Sequence, residues 1–136
     1  MKKGEIYEGR VQEVLFPDKA IVVTDEGETA QVKYGIPGQK LRFRVKKKRK
    51  EKIEGILLEV LEKSADETAC LCEWAGKCGG CLYQTLPYEK QLAIKEAQIK
   101  KMLDNGGTDY TFEGIVSSPV VSGYRNKVEL TFGDSY

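Results

Sequence analysis

The chain contains no histidine, and its four cysteines are confined to twelve residues, Cys70 to Cys81. With imidazole absent, clustered soft thiolates suit a soft metal or an iron–sulfur cluster. No apolar run approaches the roughly 18 residues of a membrane span. Met1-Lys2-Lys3 could begin a signal peptide, but the polar Gly4-Glu5-Ile6-Tyr7-Glu8-Gly9-Arg10 stands where an apolar core belongs. A soluble cytoplasmic protein is therefore expected, and such a protein has little use for disulfides. Hydrophobic residues at 40% with 32% charged describe an ordinary globular chain and exclude a disordered one. Its 136 residues suffice for one medium domain or two small ones, with a monomer the expected state.

The cysteines stand in Cys72-Glu73-Trp74-Ala75-Gly76-Lys77-Cys78-Gly79-Gly80-Cys81, with Cys70 two residues upstream. A thioredoxin-like redox pair at Cys78 and Cys81 would need a helix opening at the first cysteine, whereas glycines fill the pair. Structural zinc on all four thiolates meets a one-residue gap between Cys70 and Cys72, and zinc sites usually space paired ligands by two to four residues. An iron–sulfur cluster accepts uneven gaps, and Gly79 and Gly80 let the backbone wrap closely round it. Trp74, the only tryptophan, is expected to shield the cluster from water.

A net charge of +1 hides a split: residues 1–50 carry 13 basic and 7 acidic side chains, and residues 51–136 carry 9 and 14. The first part is thus suited to meet a polyanion. Five short β segments are read there, at 6–15, 20–24, 29–34, 40–47 and 52–61, separated by Pro-, Asp- and Gly-rich turns. Strands of this length in about sixty residues predict a small OB-like barrel, which hides its edges. In Lys40-Leu41-Arg42-Phe43-Arg44-Val45-Lys46, period-two alternation puts Leu41, Phe43 and Val45 in the core. It aligns Lys40, Arg42, Arg44 and Lys46 on one solvent face. Lys46, Lys47, Lys48, Arg49 and Lys50 extend that face into a loop. Eight cations in eleven residues exceed what edge protection requires, and an RNA phosphate backbone is the expected partner. Tyr7 and Tyr34 are candidates for base stacking, although core packing is the use expected of each.

A small polar linker at 62–69 leads into the cysteine loop, and domains are read at 1–62 and 63–136. A helix is predicted from about 87 to 104, opened by Pro87 and closed by Asn105-Gly106-Gly107. Tyr88, Leu92, Ile99, Met102 and Leu103 form its apolar stripe, interrupted by Lys95 on the side expected to be buried. Two further strands are read at 112–116 and 124–132. In all, the fold expected is β-rich with one α-helix: barrel, cysteine-cluster loop, helix, then the start of an α+β central domain.

Taken together, these motifs resemble the N-terminal part of the 23S rRNA (uracil-5-)-methyltransferases, which are S-adenosylmethionine-dependent RNA uracil C5-methyltransferases. Residues 4–61 look like their TRAM domain, an OB-like RNA-binding barrel. Cys72-x5-Cys78-Gly79-Gly80-Cys81 matches the family's iron–sulfur motif, and Gln84, Tyr88, Gln91, Leu92 and Lys95 match the pattern after it. Tyr124-Arg125-Asn126-Lys127-Val128-Glu129 matches the strand that begins the family's central domain. The resemblance implies that Cys72, Cys78 and Cys81 each bind one iron of a 4Fe-4S cluster, with the fourth ligand beyond Tyr136. Cys70 matches no family ligand position. It implies, too, that the S-adenosylmethionine site and the catalytic residues lie outside this chain, which would capture RNA, in the first place ribosomal RNA, without methylating it. Arg125 and Lys127 are further candidates to grip RNA. The alternative is a stand-alone RNA-binding module holding zinc or a cluster through Cys70, Cys72, Cys78 and Cys81.

Overall fold

A computed structural model of the chain describes residues 1–50, 52–75, 78–130 and 133. Five strands come first: β1 (Ile6–Leu15), β2 (Lys19–Val23), β3 (Thr29–Lys33), β4 (Lys40–Arg49) and β5 (Lys52–Glu62). They close into a barrel in the order β1-β2-β3-β5-β4, β1 pairing with β4 to complete the ring. All pairs are antiparallel except β3 with β5, which run parallel. The strands are those expected, with β4 extending into the basic run as far as Arg49.

Alternation decides which side chains fill the barrel. Leu41, Phe43 and Val45 of β4 are buried, and Val11, Ala20, Val22, Ala30 and Val32 from the other strands meet them. Phe43 is 0% exposed, and its ring fits because β5 carries Gly55, paired with Val45, against the ring: a Cβ there would come within 2.6 Å of Phe43 Cδ2.

The segment after β5 is clipped to the barrel. One carboxylate oxygen of Glu67, Oε1, accepts hydrogen bonds from the Ser64 amide at 2.7 Å and from Gln39 Nε2 at 2.9 Å, and the buried Gln39 also accepts from the Ile36 amide. The Thr68 amide donates to the Thr85 carbonyl at 2.7 Å, closing the neck of the cysteine loop.

One helix, α1 (Tyr88–Asn105), follows, with Pro87 at its N-cap and Glu89 in its first turn. The Gly106 and Gly107 amides donate to the last carbonyls of the helix. Its orientation differs from the expected one. Ile99, Met102 and Leu103 of the apolar stripe remain exposed, Lys95 is exposed as well, and Ile94 and Gln98 pack toward the barrel. The buried Gln98 donates through Nε2 to the Val14 carbonyl and to the Tyr83 hydroxyl, both at 3.1 Å. Lys101 reaches Glu13 of β1 at 2.7 Å. Helical periodicity finds an apolar stripe but not the surface it meets, and here a hydrogen-bonded amide took the barrel-facing position.

The two strands expected at 112–116 and 124–132 do not form among the described residues, and Thr131 and Phe132 lie outside them. Alternation such as Val128 with Leu130 specifies a strand only where another strand supplies hydrogen bonds and cover. Here Leu130 is 80% exposed. The segment lies instead along α1: Tyr110 donates to Asp104 at 2.7 Å, the Lys100 ammonium sits 4.5 Å from the Phe112 ring centre, and the Ser118 amide donates to the Tyr88 hydroxyl at 2.7 Å. No helix of the described residues is long and apolar enough to cross a membrane.

Candidate nucleic-acid interface and cysteine loop

The outward face of β4 carries its cations as the alternation requires, but they are not equivalent. Arg42 stands between acids on both neighbouring strands, facing Glu8 of β1 and Glu59 of β5. Its Nε and Nη2 donate to Glu8 Oε1 at 3.0 and 2.8 Å, and Nη1 donates to Glu59 Oε2 at 2.8 Å. The hydrogen bonds to Glu8 raise the Arg42 guanidinium further above its already high pKa. Lys40 shares Glu8 at 3.8 Å. Half of the expected basic face is therefore neutralised within the sheet, a feature invisible along β4 because the acids come from β1 and β5.

The other half lies toward the β4–β5 hairpin. Among the described residues, Arg44, Lys46, Lys47, Arg49 and Lys50 form no ion pair, and all five are exposed. Lys48 donates to the Met1 carbonyl at 2.9 Å and is thereby drawn onto the barrel. Beside Arg44, β5 presents the exposed Ile56, its partner in the ladder; Leu58 and Val60 further along β5 are exposed as well, Val60 lying opposite the inward Leu41. Arg125 and Lys127 lie far along the chain on the exposed segment, where Lys127 meets Glu129 at 3.0 Å.

The structure also separates the two tyrosines. Tyr7 packs on the core, its ring centre 6.4 Å from that of Phe43. Tyr34 does not: it is 51% exposed and adopts φ +66°, a left-handed conformation uncommon for a bulky residue. The signal that could have distinguished them is the pair Tyr34-Gly35, a turn ending β3. Gly35 presses so closely on the core that a Cβ would lie 2.6 Å from Ala20 Cβ.

All four cysteines are free thiols; Cys78 and Cys81 are exposed, Cys70 and Cys72 half-buried. Cys70 donates through its thiol to Gln84 Oε1 at 2.9 Å. The loop turns through the Ala75 amide donating to the Cys72 carbonyl and the Cys78 amide to the Trp74 carbonyl, with the Trp74 side chain 57% exposed. Cys78 and Cys81 line one cavity of about 410 Å³ between this loop and the barrel. Thr85 also lines it, and its buried Oγ1 has no hydrogen-bond partner among the described residues. The donors are chemically suited to a soft metal or cluster. Among the described residues, however, no three Cys, Asp or Glu side chains converge as a metal-ligand set. The expected ligands Cys72, Cys78 and Cys81 are thus near in sequence without being gathered on one point.

A closed β-barrel with a basic hairpin, joined to a thiol-bearing loop and a helix, is the class of protein these features define. No family model matches the chain. It is similar over 98% of its length to an uncharacterized RNA methyltransferase of Caldanaerobacter subterraneus subsp. tengcongensis, at 45% identity over 134 residues. Uncharacterized RNA methyltransferases of Clostridium tetani and Clostridium acetobutylicum match over 135 residues each, at 42% and 38% identity. The chain spans about 30% of the length of these relatives.

Proposed function

We propose that this chain is the N-terminal, RNA-binding part of an S-adenosylmethionine-dependent RNA uracil C5-methyltransferase acting in the cytoplasm on ribosomal RNA. The observation that carries the reading is the 45% identity across nearly the whole chain to a part of a much longer RNA methyltransferase. The barrel supports it. Its strand order, with β1 closing on β4, fits an OB-like or TRAM domain at residues 1–62, and OB folds bind nucleic acid through the loops joining strands 1–2 and 4–5. The β4–β5 connection is where Lys46, Lys47, Arg49 and Lys50 gather. Arg44 continues the track, while Lys40, Arg42 and Lys48 hold the barrel together. Arg125 and Lys127 would meet RNA from the other end of the chain.

Residues 63–136 would carry a 4Fe-4S cluster on Cys72, Cys78 and Cys81. Thiolates are the ligands such clusters take, and the hydrogen bond from Cys70 to Gln84 leaves three cysteines for the purpose. The cluster would act structurally, ordering a loop beside the RNA. Methyl transfer belongs to the part of the longer protein that this chain does not span.

Two experiments test this. A protein containing this chain together with the remainder matched by its relatives should transfer methyl groups from S-adenosylmethionine to C5 of uracil in ribosomal RNA, whereas this chain alone binds RNA and transfers none. Methylation at any atom other than uracil C5 would refute the assigned chemistry. Anaerobically prepared chain should contain iron and acid-labile sulfide in similar amounts, retained by Cys70→Ser and lost by Cys78→Ser. Stoichiometric zinc without sulfide would replace the cluster with a zinc site.

A further inference from the structure

The helix α1 is apolar on two sides, and the barrel covers only one of them. Ile94 packs on the barrel core, Gln98 donates to a carbonyl of β1, and Lys101 reaches the same strand through Glu13. Ile99 follows Ile94 by five residues, a rotation of about 140° at 3.6 residues per turn, which places it on the far side of the helix. Met102 and Leu103 stand beside it, three and four residues on, and all three side chains are exposed. Such a stripe holds nothing in the barrel, and contiguous exposed apolar surface marks a place where another surface docks.

The apolar surface continues past the helix. The Ser118 amide donates to the Tyr88 hydroxyl at 2.7 Å, and so holds the exposed Val116 and Val120 near the N-terminal end of α1. Charge narrows the kind of partner. Of the four lysines of α1, Lys90, Lys100 and Lys101 each meet a carboxylate, at 3.2, 2.6 and 2.7 Å. Lys95, within the stripe, is exposed and has no acid partner among the described residues. An apolar strip with one unpaired cation fits a protein surface that is apolar and carries one carboxylate. It does not fit an RNA backbone, whose close-set phosphates call for several cations. The relatives show where such a surface comes from: this chain spans about 30% of their length, so the greater part of each lies outside the match.

We propose that the outward stripe of α1, formed by Ile99, Met102 and Leu103 with Lys95 beside them, is the face on which the remainder of the longer protein docks. That remainder meets it with an apolar surface and one carboxylate opposite Lys95. The helix is then a middle layer, with the barrel on one side and the remainder on the other. The inference rests on the reading of this chain as the N-terminal part of a longer enzyme, and adds the surface through which the two parts join.

The test compares this chain with the longer protein that contains it, both free of RNA. A photolysed diazirine labels exposed side chains, and peptide mass spectrometry reads the label. In this chain alone, residues 99–103 should be labelled; in the longer protein their label should fall to the level of the buried residues 41–43. Ile99→Lys with Leu103→Lys should leave the thermal midpoint of this chain nearly unchanged, because both side chains already meet water, and should lower that of the longer protein. Lys95→Glu should lower the longer protein's midpoint as well, whereas Lys95→Arg should not. Full labelling of residues 99–103 in a longer protein that methylates uracil would overturn the docking inference alone. So would protection that appears only when RNA is added, or protection in this chain alone that grows with its concentration, which would make a second copy the occupant. Protection in a longer protein that transfers no methyl group to uracil would keep the docking face and remove the catalytic reading.

Discussion

Changing Arg44 and Lys46 together to glutamine removes two exposed cations from β4 that no carboxylate among the described residues neutralises. If each contacts one phosphate of a single strand, the plot of log affinity against log salt should flatten by about 0.7 per contact, or about 1.4 in all. Over a fourfold rise in salt, the variant should therefore lose about sevenfold less affinity than the wild type does. The same exchange at Lys40 and Arg42 should leave the slope nearly unchanged. Glu8 and Glu59 already neutralise those side chains, so few counterions are released when RNA arrives. Its effect should fall on the fold instead, lowering the thermal midpoint, because two carboxylates then flank β4 without the guanidinium that joins them. Filter binding at four salt concentrations, with a thermal melt of each variant, separates the two outcomes. Equal flattening by both pairs would refute the reasoning, since it would mean that Arg42 leaves its carboxylates for phosphate. No flattening by Arg44 and Lys46 would show that RNA does not use this face.

Phe43→Ala should destabilise the barrel by about 3–5 kcal/mol in urea unfolding, because it deletes a fully buried ring packed against Gly55 and opens a cavity in the core. Gln98→Leu should loosen α1 from the barrel by about 1–3 kcal/mol, read as faster hydrogen exchange of the helix amides, since it deprives the Val14 carbonyl and the Tyr83 hydroxyl of their donor. Burial, foremost, pushes the Tyr83 phenol above its ordinary pKa, opposed by the Gln98 hydrogen bond and aided by the charge of Asp18. Its folded-state pKa thus exceeds the unfolded one, so its contribution to stability is complete below the unfolded value and is lost as pH rises through the folded one. The urea midpoint should fall as the pH rises past the ordinary tyrosine value of about 10, and Tyr83→Phe should remove that tyrosine's share of the fall. An identical alkaline loss in Tyr83→Phe would assign the effect elsewhere.

What the sequence by itself determined is local and periodic. Alternation through Leu41, Phe43 and Val45 set the inward face of β4, the turn residues divided the five strands, and Pro87 and Gly106-Gly107 bounded the helix. Each depends on a chain's own geometry, so neighbours in sequence suffice. The tertiary structure alone decided whatever depends on what lies across a strand or beneath a helix. Glu8 and Glu59 reach Arg42 from strands 34 and 17 residues away, and so divide a uniformly basic stripe into a neutralised half and an open one. Gln98, not the apolar stripe, meets the barrel, because a carbonyl of β1 needs a donor there. Tyr7 and Tyr34 look alike in sequence, yet one lies on Phe43 and the other stands over a cavity. The alternation at 124–130 made no strand, for a strand exists only with a partner to share its hydrogen bonds.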